Sequence, residues 1–328
     1  MIDIPRETVI RRYIPVKYLE TILNGELYFT QFDKFPDRLE GGIAANNFSS
    51  ISNSWGVLDR AINRNWPSVE SDRSEIAEVP EKKEYFPSLF GPQHRDNGEA
   101  YLKNIRYWLY ASCWIDLPHE CYAMWQLFGS SGANCTHPTP CQVCYESLGQ
   151  SVCIESTVGA LLDNLDLPKG YSLLARKIEY LDQGAHTFEE HELADKPFFT
   201  KASHYSFEHE YRFLVWPTDK DIRFSYKHES TGVGSTKNDQ DHLRVSVNNI
   251  DSVIHKIILS PLPPAQQLAI QADHMKKYKS ALGLQESLSN TPLRDKVEEM
   301  CRKYQISSKI VDSALNQVPA TDCYSAVR

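Results

Sequence analysis

Short stretches in which apolar and polar positions alternate dominate the chain. Residues 8–14 (TVIRRYI) alternate into β-branched and aromatic side chains, a pattern that predicts a first strand. Apolar residues then recur at helical spacing from Val16 to Leu23, and Gly25 follows as a natural helix end. A second strand is predicted at 26–32 (ELYFTQF), so the chain opens as strand, short helix, strand.

Further strand patterns continue to about residue 260. They are rich in β-branched and aromatic residues and are separated by polar or glycine-containing segments. The predicted strands are WLYASCWI (108–115), SVCIES, LLARKIEYL, FEHEYRFLVW, HLRVSV and IHKIILS, and CYAMWQLF (121–128) is predicted as a short apolar helix. After SPLPPAQ the pattern becomes helical, and Thr-Pro at 291–292 is typical of a cap and first turn. The predicted class is α+β, with a mixed sheet and helices around it.

The predicted domain organisation follows from changes in composition. Residues 1–262 are interpreted as a single α+β domain, interrupted at about 43–100 by a polar, proline-containing insertion with weak helices. A cysteine-rich loop lies at 135–144, and residues 263–328 form a C-terminal helical extension. The length of 328 residues allows one large domain with insertions or two modest ones.

The segment SHYSFEHEYRFLVW (203–216) has the most informative alternation. Interpreted as a strand, it places Glu208, Glu210 and Arg212 on one face and apolar side chains on the other. The charged face is either a solvated salt-bridge ladder, worth only about 0 to 1 kcal/mol per exposed pair, or the lining of a cleft where carboxylates do chemistry.

Composition and charge narrow the class of protein. Hydrophobic residues at 41% and charged residues at 24% are typical of a globular chain with a real core. The formal net charge of -8 argues against a broad basic surface for nucleic acid. The N-terminus lacks a signal-peptide pattern and no stretch approaches the roughly 20 apolar residues of a membrane span, so a cytoplasmic protein without membrane contact is expected.

The loop CTHPTPCQVC contains a candidate metal site. Cys141 and Cys144 have the Cys-x2-Cys spacing that is typical of a pair of zinc ligands, and Cys135 and His137 are predicted as two further ligands. A cytoplasmic protein seldom keeps disulfides, which favours free thiols or metal ligands. Structural zinc is the prediction, with a redox pair as the alternative.

Two shorter segments also carry candidate groups. In the first strand, Arg11 and Arg12 are either an exposed and a core-rim arginine or, with Tyr13, part of a cleft that grips a phosphate or ribose. In the turn FDKFPDRLEGG (32–42), Asp37 either caps a helical turn or joins Glu40 in the acidic lip of a site.

Several of these blocks, in order, resemble a bacterial family known as domain of unknown function 2971. The blocks are RRYIPVKYLETILNGELYFTQFDKFPDRLEG, CYAMWQLF, GQSVCIE, KIEYL, FFTKASHYSFEHEYRFLV and IHKIILSP, which span about residues 9–261. The turn FPDRLE, the insertion and the cysteine-rich loop depart from the family pattern, and the C-terminal helices lie outside it.

The layout of that family looks like the ADP-ribosyltransferase fold. The resemblance implies that Arg12 and Tyr13 bind NAD, that Ser112 supports the nicotinamide pocket, and that Glu208 and Glu210 are the catalytic Glu-x-Glu pair. Lys201 and Arg212 belong to the same late block and are expected beside the NAD. Tyr13 and Trp125 offer rings for stacking on nicotinamide or adenine, although a tryptophan on an apolar helix is commonly core.

The expected activity is therefore NAD-dependent ADP-ribosyl transfer to a protein or nucleic acid, as in a toxin or phage-defence effector with an antitoxin or defence partner. Glycosidic cleavage passes through an oxocarbenium-like state that a carboxylate stabilises, and a second carboxylate can take the proton of the nucleophile. The alternatives are a non-catalytic sensing or binding module, and a metal-dependent nuclease with Asp37, Glu40 and Glu208 around magnesium.

Overall fold

The computed structural model describes residues 5–35, 37, 40–41, 43, 47, 51, 85–129, 150–218, 224, 238–262, 291–307 and 309–316. Within these residues the α+β class is confirmed, because a large mixed sheet of ten strands is accompanied by several short helices. No helix among the described residues is both long enough and apolar enough to cross a membrane.

The described strands agree with most of the strands predicted from alternation. In chain order they are β1 (Val9–Pro15), β2 (Glu26–Gln31), β3 (Tyr85–Phe86), β4 (Gln93–His94), β5 (Tyr110–Ile115), β6 (Ser151–Thr157), β7 (Leu165–Asp166), β8 (Tyr171–Lys177), β9 (Glu179–Leu181), β10 (Thr200–Ala202), β11 (Glu210–Pro217), β12 (His242–Val247), β13 (Lys256–Leu259) and β14 (Lys309–Val311). The pairs β3–β4 and β9–β10 form separate two-stranded sheets, and the other strands belong to the large sheet.

The described α-helices are short except for the last one. They are α1 (Leu19–Leu23), α2 (Gly98–Asn104), α3 (Tyr122–Met124), α4 (Val158–Asn164), α5 (Ile250–Val253) and α6 (Thr291–Lys303). The predicted start of α6 at Thr291-Pro292 is confirmed. Gly25, just after α1, has a φ of 78°, a left-handed conformation that favours glycine and explains why the first helix ends there.

The chain divides into two compact units. Unit 1 comprises Met1–Leu27, Trp114–Asp166 and Val245–Arg328, and unit 2 comprises Tyr28–Cys113 and Leu167–Arg244. The predicted domain boundary near residue 262 stays a prediction. The strand β14 lies in the segment predicted as a C-terminal helical extension, and it extends the sheet within unit 1.

Unit 1 is built on the neighbouring strands β1, β6, β13 and β14. β6 is antiparallel to β1 and β13, whereas β14 runs parallel to β13 as the edge strand. Residues in register across these strands form two rows on one face of the sheet: an apolar row and a charged row. The apolar row is Tyr13, Cys153, Ile258 and Val311, and the charged row is Arg11, Glu155, Lys256 and Lys309.

Unit 2 is built around β11, which is buried along its whole length. β11 is antiparallel to β8, from Tyr211 opposite Lys177 to Pro217 opposite Tyr171, and it also pairs with β5. An aromatic core packs in this unit; it includes Phe32, Trp108, Phe198, Leu214 and Trp216. Complete burial of both faces means that even the polar residues of β11 must find partners inside the protein.

The prediction of one continuous strand at 203–216 is wrong in its first half. Residues Ser203–Glu208 form a 3-10 helix, and His209, with a φ of 45°, separates it from β11. The stretch SHYSFE lacks the alternation of β-branched residues that sustains a strand, and it carries exposed polar side chains instead. Glu208 is therefore the last residue of the 3-10 helix, while Glu210 and Arg212 lie on the strand.

The two other regions predicted to be helical are only partly described. In the insertion, the described residues contain the hairpin of β3 and β4 and then α2, so strand pairing is present where weak helices were predicted. The helical pattern after SPLPPAQ and the cysteine-rich loop at 135–144 lie outside the described residues.

Candidate functional site

Five charged side chains meet in unit 2, and we call them the ion cluster: Glu40, Lys201, Glu208, Glu210 and Arg212. The ammonium of Lys201 is at their centre. Its Nζ lies 2.7 Å from Glu40 Oε1, 2.7 Å from Glu208 Oε2 and 3.5 Å from Glu210 Oε2. One lysine thus contacts three carboxylates, one from the turn at residue 40 and two from the segment 208–210.

Arg212 forms the inner half of the ion cluster. Its Nε and Nη2 lie 2.8 and 2.7 Å from Glu210 Oε1, and its Nη2 lies 3.3 Å from Glu40 Oε1. Its Nη1 donates to the carbonyl oxygen of Phe198 at 2.8 Å. The guanidinium also lies 5.3 Å from the ring centroid of Phe32, within cation–π range.

Burial changes in order across the cluster. The side chains of Glu208 and Lys201 are 12% and 10% exposed, whereas those of Glu210, Glu40 and Arg212 are 5%, 2% and 0% exposed. Glu208 and Lys201 are therefore the end of the cluster that solvent or a ligand can reach. The predicted alternative of a solvated salt-bridge ladder is wrong, because every member of the cluster is buried.

The cluster carries a surplus of negative charge. Three carboxylates face two cations, so with all five groups ionised the net charge is one negative. Glu210 and Glu40 each contact both cations, whereas the ion-pair partner of Glu208 in the cluster is Lys201 alone. Glu208 is accordingly the carboxylate with the least compensation.

The two neighbouring carboxylates are shifted in opposite directions. Burial raises the pKa of Glu208, and the bond to Lys201 does not fully offset that effect. Burial also acts to raise the pKa of Glu210, but the charges of Arg212 and Lys201 outweigh it and hold that pKa below its usual value. Glu210 is thus fixed as an anion, and Glu208 is the more basic carboxylate.

The local backbone explains this difference. His209 holds a left-handed conformation that is uncommon for a residue other than glycine, and the chain changes direction there. The next amide, of Glu210, donates to the hydroxyl oxygen of Tyr180 at 2.8 Å. Glu208 consequently ends the 3-10 turn near the surface, and Glu210 begins the buried strand only two residues later.

One residue of strand β5, Cys113, contacts the ion cluster, and the residue before it points to the opposite face of the sheet. Burial raises the pKa of the Cys113 thiol well above its usual value, and its hydrogen bond to Glu210 adds to the effect, so the thiol stays protonated as a donor. Successive side chains of a strand point to opposite faces, so Ser112, buried in β5, faces away from Glu210. The structure brings Lys201, Glu208, Glu210 and Arg212 together and leaves Ser112 apart.

The remaining predicted NAD-binding residues belong to unit 1. Tyr13 is 4% exposed, and its ring meets the fully buried Trp125 edge-on at 4.8 Å. The hydroxyl of Tyr13 accepts a hydrogen bond from the Cys121 amide, and Trp125 donates to Glu120. Both rings are core side chains, and for Trp125 this is the alternative that its place on an apolar helix had indicated. The guanidinium of Arg12 lies 5.9 Å from the ring centroid of Trp114.

Unit 1 also contains an ion group that the sequence pattern did not reveal, and we call it the Arg11 triad. Arg11 Nη2 and Lys256 Nζ each lie 2.6 Å from one oxygen of Glu155, and Arg11 also donates to the carbonyl oxygen of Leu117. The three residues come from three strands, and nothing in their sequence spacing predicts the pairing. The strand register explains the pairing, because Glu155 lies directly opposite Arg11 on one side and Lys256 on the other.

Only one of the two predicted metal sites lies among the residues that the structure describes. Cys135, His137, Cys141 and Cys144 lie outside the described residues, so structural zinc stays a prediction. Among the residues that the structure describes, no group of three or more His, Cys, Asp or Glu side chains is arranged to hold a metal. Glu40 and Glu208 meet around the Lys201 ammonium, and the magnesium site of a nuclease stays a prediction.

No protein-family model matches the chain, and no curated protein or solved structure is significantly similar to it. The resemblance to domain of unknown function 2971 therefore stays a prediction.

Proposed function

We propose that the chain is an ADP-ribosyltransferase that uses NAD as substrate, with its reaction centre at the outer end of the ion cluster. The observation that carries the proposal is the unequal pairing of two buried carboxylates two residues apart: Glu208 contacts Lys201 alone in the ion cluster, whereas Glu210 contacts both Lys201 and Arg212. The pKa of Glu208 is raised and that of Glu210 is lowered. Environments that push two carboxyl pKa values apart are typical of sites that divide acid–base and electrostatic roles.

The roles follow from burial and charge. Cleavage of the bond between nicotinamide and ribose leaves the electron pair on nicotinamide and positive charge on the ribose carbon, and the surplus negative charge of the cluster stabilises that charge. Glu208 is the least buried of the three carboxylates, and its raised pKa makes it the better proton acceptor. It takes the proton of the acceptor nucleophile as the new bond to ribose forms.

Glu210 and Arg212 have a positioning role in this proposal. Glu210 is 4% exposed and contacts both cations, so it fixes Lys201 and Arg212 in place and contributes negative charge from inside. The sequence resemblance had given Glu210 the direct contact with the ribose; the proposal gives that contact to Glu208. Arg12 as a phosphate ligand stays a prediction from the sequence, while Tyr13, Trp125 and Ser112 receive no role at the NAD.

The ADP-ribosyltransferase fold and a biological role as toxin or defence effector belong to the same proposal. The acceptor is a protein or nucleic acid, and an antitoxin or defence partner would restrain such an activity. The expected location is the cytoplasm, where NAD is present.

The test is a measurement of nicotinamide release and label transfer from adenylate-labelled NAD, with cell lysate as the source of acceptor. Glu208→Gln should reduce both by about 100-fold or more, the lower range for loss of a general base. Glu298→Gln is the matched control, because Glu298 is a surface residue of α6 with a 45% exposed side chain, paired with Arg294 at 3.6 Å. Its activity should equal that of the unmodified chain.

A second candidate, a non-catalytic sensing or binding module, is favoured by the inner half of the cluster. Arg212 is completely buried, and its Nε, Nη1 and Nη2 each have an acceptor, as in a structural ion network. A folded chain that neither binds NAD by calorimetry nor releases nicotinamide would support this candidate and reject the enzyme. Activity that survives in Glu208→Gln would reject the role assigned to Glu208.

A further inference from the structure

Tyr180 of strand β9 places a polar group beside the ion cluster that has no role in the reaction described so far. β9 pairs in parallel with β10, and Tyr180 lies directly opposite Lys201. Residues in register across neighbouring strands present their side chains on the same face, so Tyr180 and the Lys201 side chain share one face of this small sheet. The ring of Tyr180 packs against the aromatic core of unit 2, and its hydroxyl reaches the start of β11.

The hydroxyl oxygen of Tyr180 is held in place by the backbone of β11. It accepts a hydrogen bond from the Glu210 amide at 2.8 Å, and the carbonyl oxygen of Glu210 accepts from the Ile178 amide at 2.9 Å. A tyrosine hydroxyl can accept and donate at the same time. Among the residues that the structure describes, the hydrogen of this hydroxyl has no acceptor, so it is free to be donated to a ligand.

The hydroxyl keeps its hydrogen at neutral pH. Burial raises the pKa of Tyr180, and the negative charges of Glu210 and Glu208 also act to raise it. Both carboxylates therefore lie within electrostatic range of the hydroxyl. The outer end of the ion cluster thus combines a proton acceptor, Glu208, with a neutral hydrogen-bond donor, Tyr180.

These two groups together select the chemistry of the acceptor nucleophile. Glu208 requires a nucleophile that carries a proton, and Tyr180 requires a lone pair on the same atom. A hydroxyl meets both requirements, because its hydrogen faces Glu208, one lone pair accepts from Tyr180 and the other attacks the ribose carbon. A guanidinium or an ammonium has no lone pair with which to accept, and the nitrogen of a carboxamide only donates.

The charges at the site favour the same class of nucleophile. Lys201 Nζ lies 2.7 Å from Glu208 Oε2, so it repels a cationic group that approaches this carboxylate. An ionised carboxyl group is repelled by the surplus negative charge of the ion cluster, and it has no proton to give. The net charge of -8 also disfavours a nucleic acid, which is a polyanion. A neutral hydroxyl on a protein meets none of these repulsions.

We propose, as an extension that rests on the proposed function, that the acceptor is the hydroxyl of a serine or threonine side chain in a protein, and that Tyr180 binds it. The bond between the ribose carbon and nicotinamide breaks, and its electron pair stays on the nicotinamide nitrogen. The hydroxyl oxygen forms the new bond to that carbon while its proton passes to Glu208. The hydrogen bond from Tyr180 orients the oxygen for this attack.

The first test uses the unmodified chain, adenylate-labelled NAD and cell lysate. Labelled material should be destroyed by protease and resist ribonuclease and deoxyribonuclease, and mass spectrometry should find the ADP-ribose on serine or threonine. Label on arginine, lysine, cysteine, an acidic side chain or nucleic acid would overturn the hydroxyl acceptor while leaving the proposed transferase intact. A chain that releases no nicotinamide would overturn both.

The second test isolates the hydroxyl of Tyr180. Tyr180→Phe keeps the ring, and the ratio of label transfer to NAD hydrolysis should fall about tenfold, the upper range for the loss of one hydrogen bond. General damage to the site would lower transfer and hydrolysis together, because water reaches Glu208 without being oriented by Tyr180. Tyr85→Phe is the matched control, since Tyr85 is 49% exposed on β3, and its ratio should equal that of the unmodified chain. An unchanged ratio in Tyr180→Phe would overturn the role of Tyr180; if that variant does not fold, the labelled residue found with the unmodified chain still decides the acceptor class.

Discussion

Two buried ion groups in this protein differ in charge, burial and origin. The ion cluster of unit 2 has three carboxylates and two cations, whereas the Arg11 triad of unit 1 has one carboxylate and two cations. The triad links neighbouring strands in direct register, and its Lys256 side chain is 44% exposed. The cluster gathers residues from a turn, two strands and a 3-10 helix.

The contrast shows which group has a structural explanation. Cross-strand pairing of opposite charges stabilises a sheet, and the triad is complete on that basis alone. The cluster contains a carboxylate beyond those needed to neutralise its cations, and burying such a charge costs free energy. Glu208 is the residue that stability does not explain, and the predictions that follow separate it from its neighbours.

The largest effect is expected for Glu210→Gln in the ion cluster. The change leaves the fully buried guanidinium of Arg212 without the carboxylate that contacts both its Nε and its Nη2. Breaking a buried ion pair from one side costs about 3 to 5 kcal/mol of unfolding free energy. Urea unfolding followed by circular dichroism measures it, with Glu298→Gln expected within about 0.5 kcal/mol of the unmodified chain. A loss as small as that of the control would show that Arg212 is stabilised without Glu210.

How far the sequence predicts these two groups depends on whether their partners are local. Alternation along β11 put Glu210 and Arg212 on one face, and the family resemblance added Lys201 from the same block. Glu40 was recognised as an acidic residue of a turn, but its contact with Lys201 spans tertiary structure that no spacing encodes. The left-handed His209 broke the predicted strand, because a single backbone conformation is not visible in a hydrophobic pattern.

The secondary structure, too, was predicted well where its pattern is local and poorly where it depends on tertiary pairing. Strands with strong β-branched alternation, such as β1 and β12, were predicted nearly to the residue. The edge strand β14 was missed because three residues after a helix give no period to detect. The Arg11 triad was missed because register across three strands is a tertiary property, although Arg11 itself had been noted.

An intermediate effect is expected for Glu155→Gln in the Arg11 triad. Arg11 is 8% exposed and loses its ion-pair partner, but Lys256 can turn to water, since its side chain is 44% exposed. A loss of about 2 kcal/mol is expected, within the range for hydrogen bonds to charged groups. The same urea unfolding experiment measures it, and a loss equal to that of Glu210→Gln would remove the energetic distinction between the two ion groups.

The smallest change in stability, and the sharpest contrast, is expected for Glu208→Gln. The substitution removes the surplus charge and leaves two carboxylates with two cations. The carbonyl oxygen of the glutamine can still accept from Lys201 in place of the bond that Glu208 makes at 2.7 Å. At pH 7 the unfolding free energy should change by less than about 1 kcal/mol, while nicotinamide release is lost. Lost activity with retained stability would distinguish Glu208 from the structural members of the cluster.

The free energy of unfolding should depend on pH in opposite directions for the two carboxylates, because the pKa of Glu208 is raised and that of Glu210 is lowered. The raised pKa of Glu208 means that the native protein binds its proton more tightly than the unfolded chain does, so its contribution to stability is present at low pH and is lost as the pH rises through the native pKa. Relative to the unmodified chain, Glu208→Gln should therefore gain stability as the pH rises above about 4.5. The lowered pKa of Glu210 has the reverse effect, so the penalty of Glu210→Gln should be complete at neutral pH and shrink as the pH falls below about 4.5. Urea unfolding of the three proteins from about pH 3 to pH 8 tests both signs. Two difference curves with the same slope would contradict the division of roles between Glu208 and Glu210.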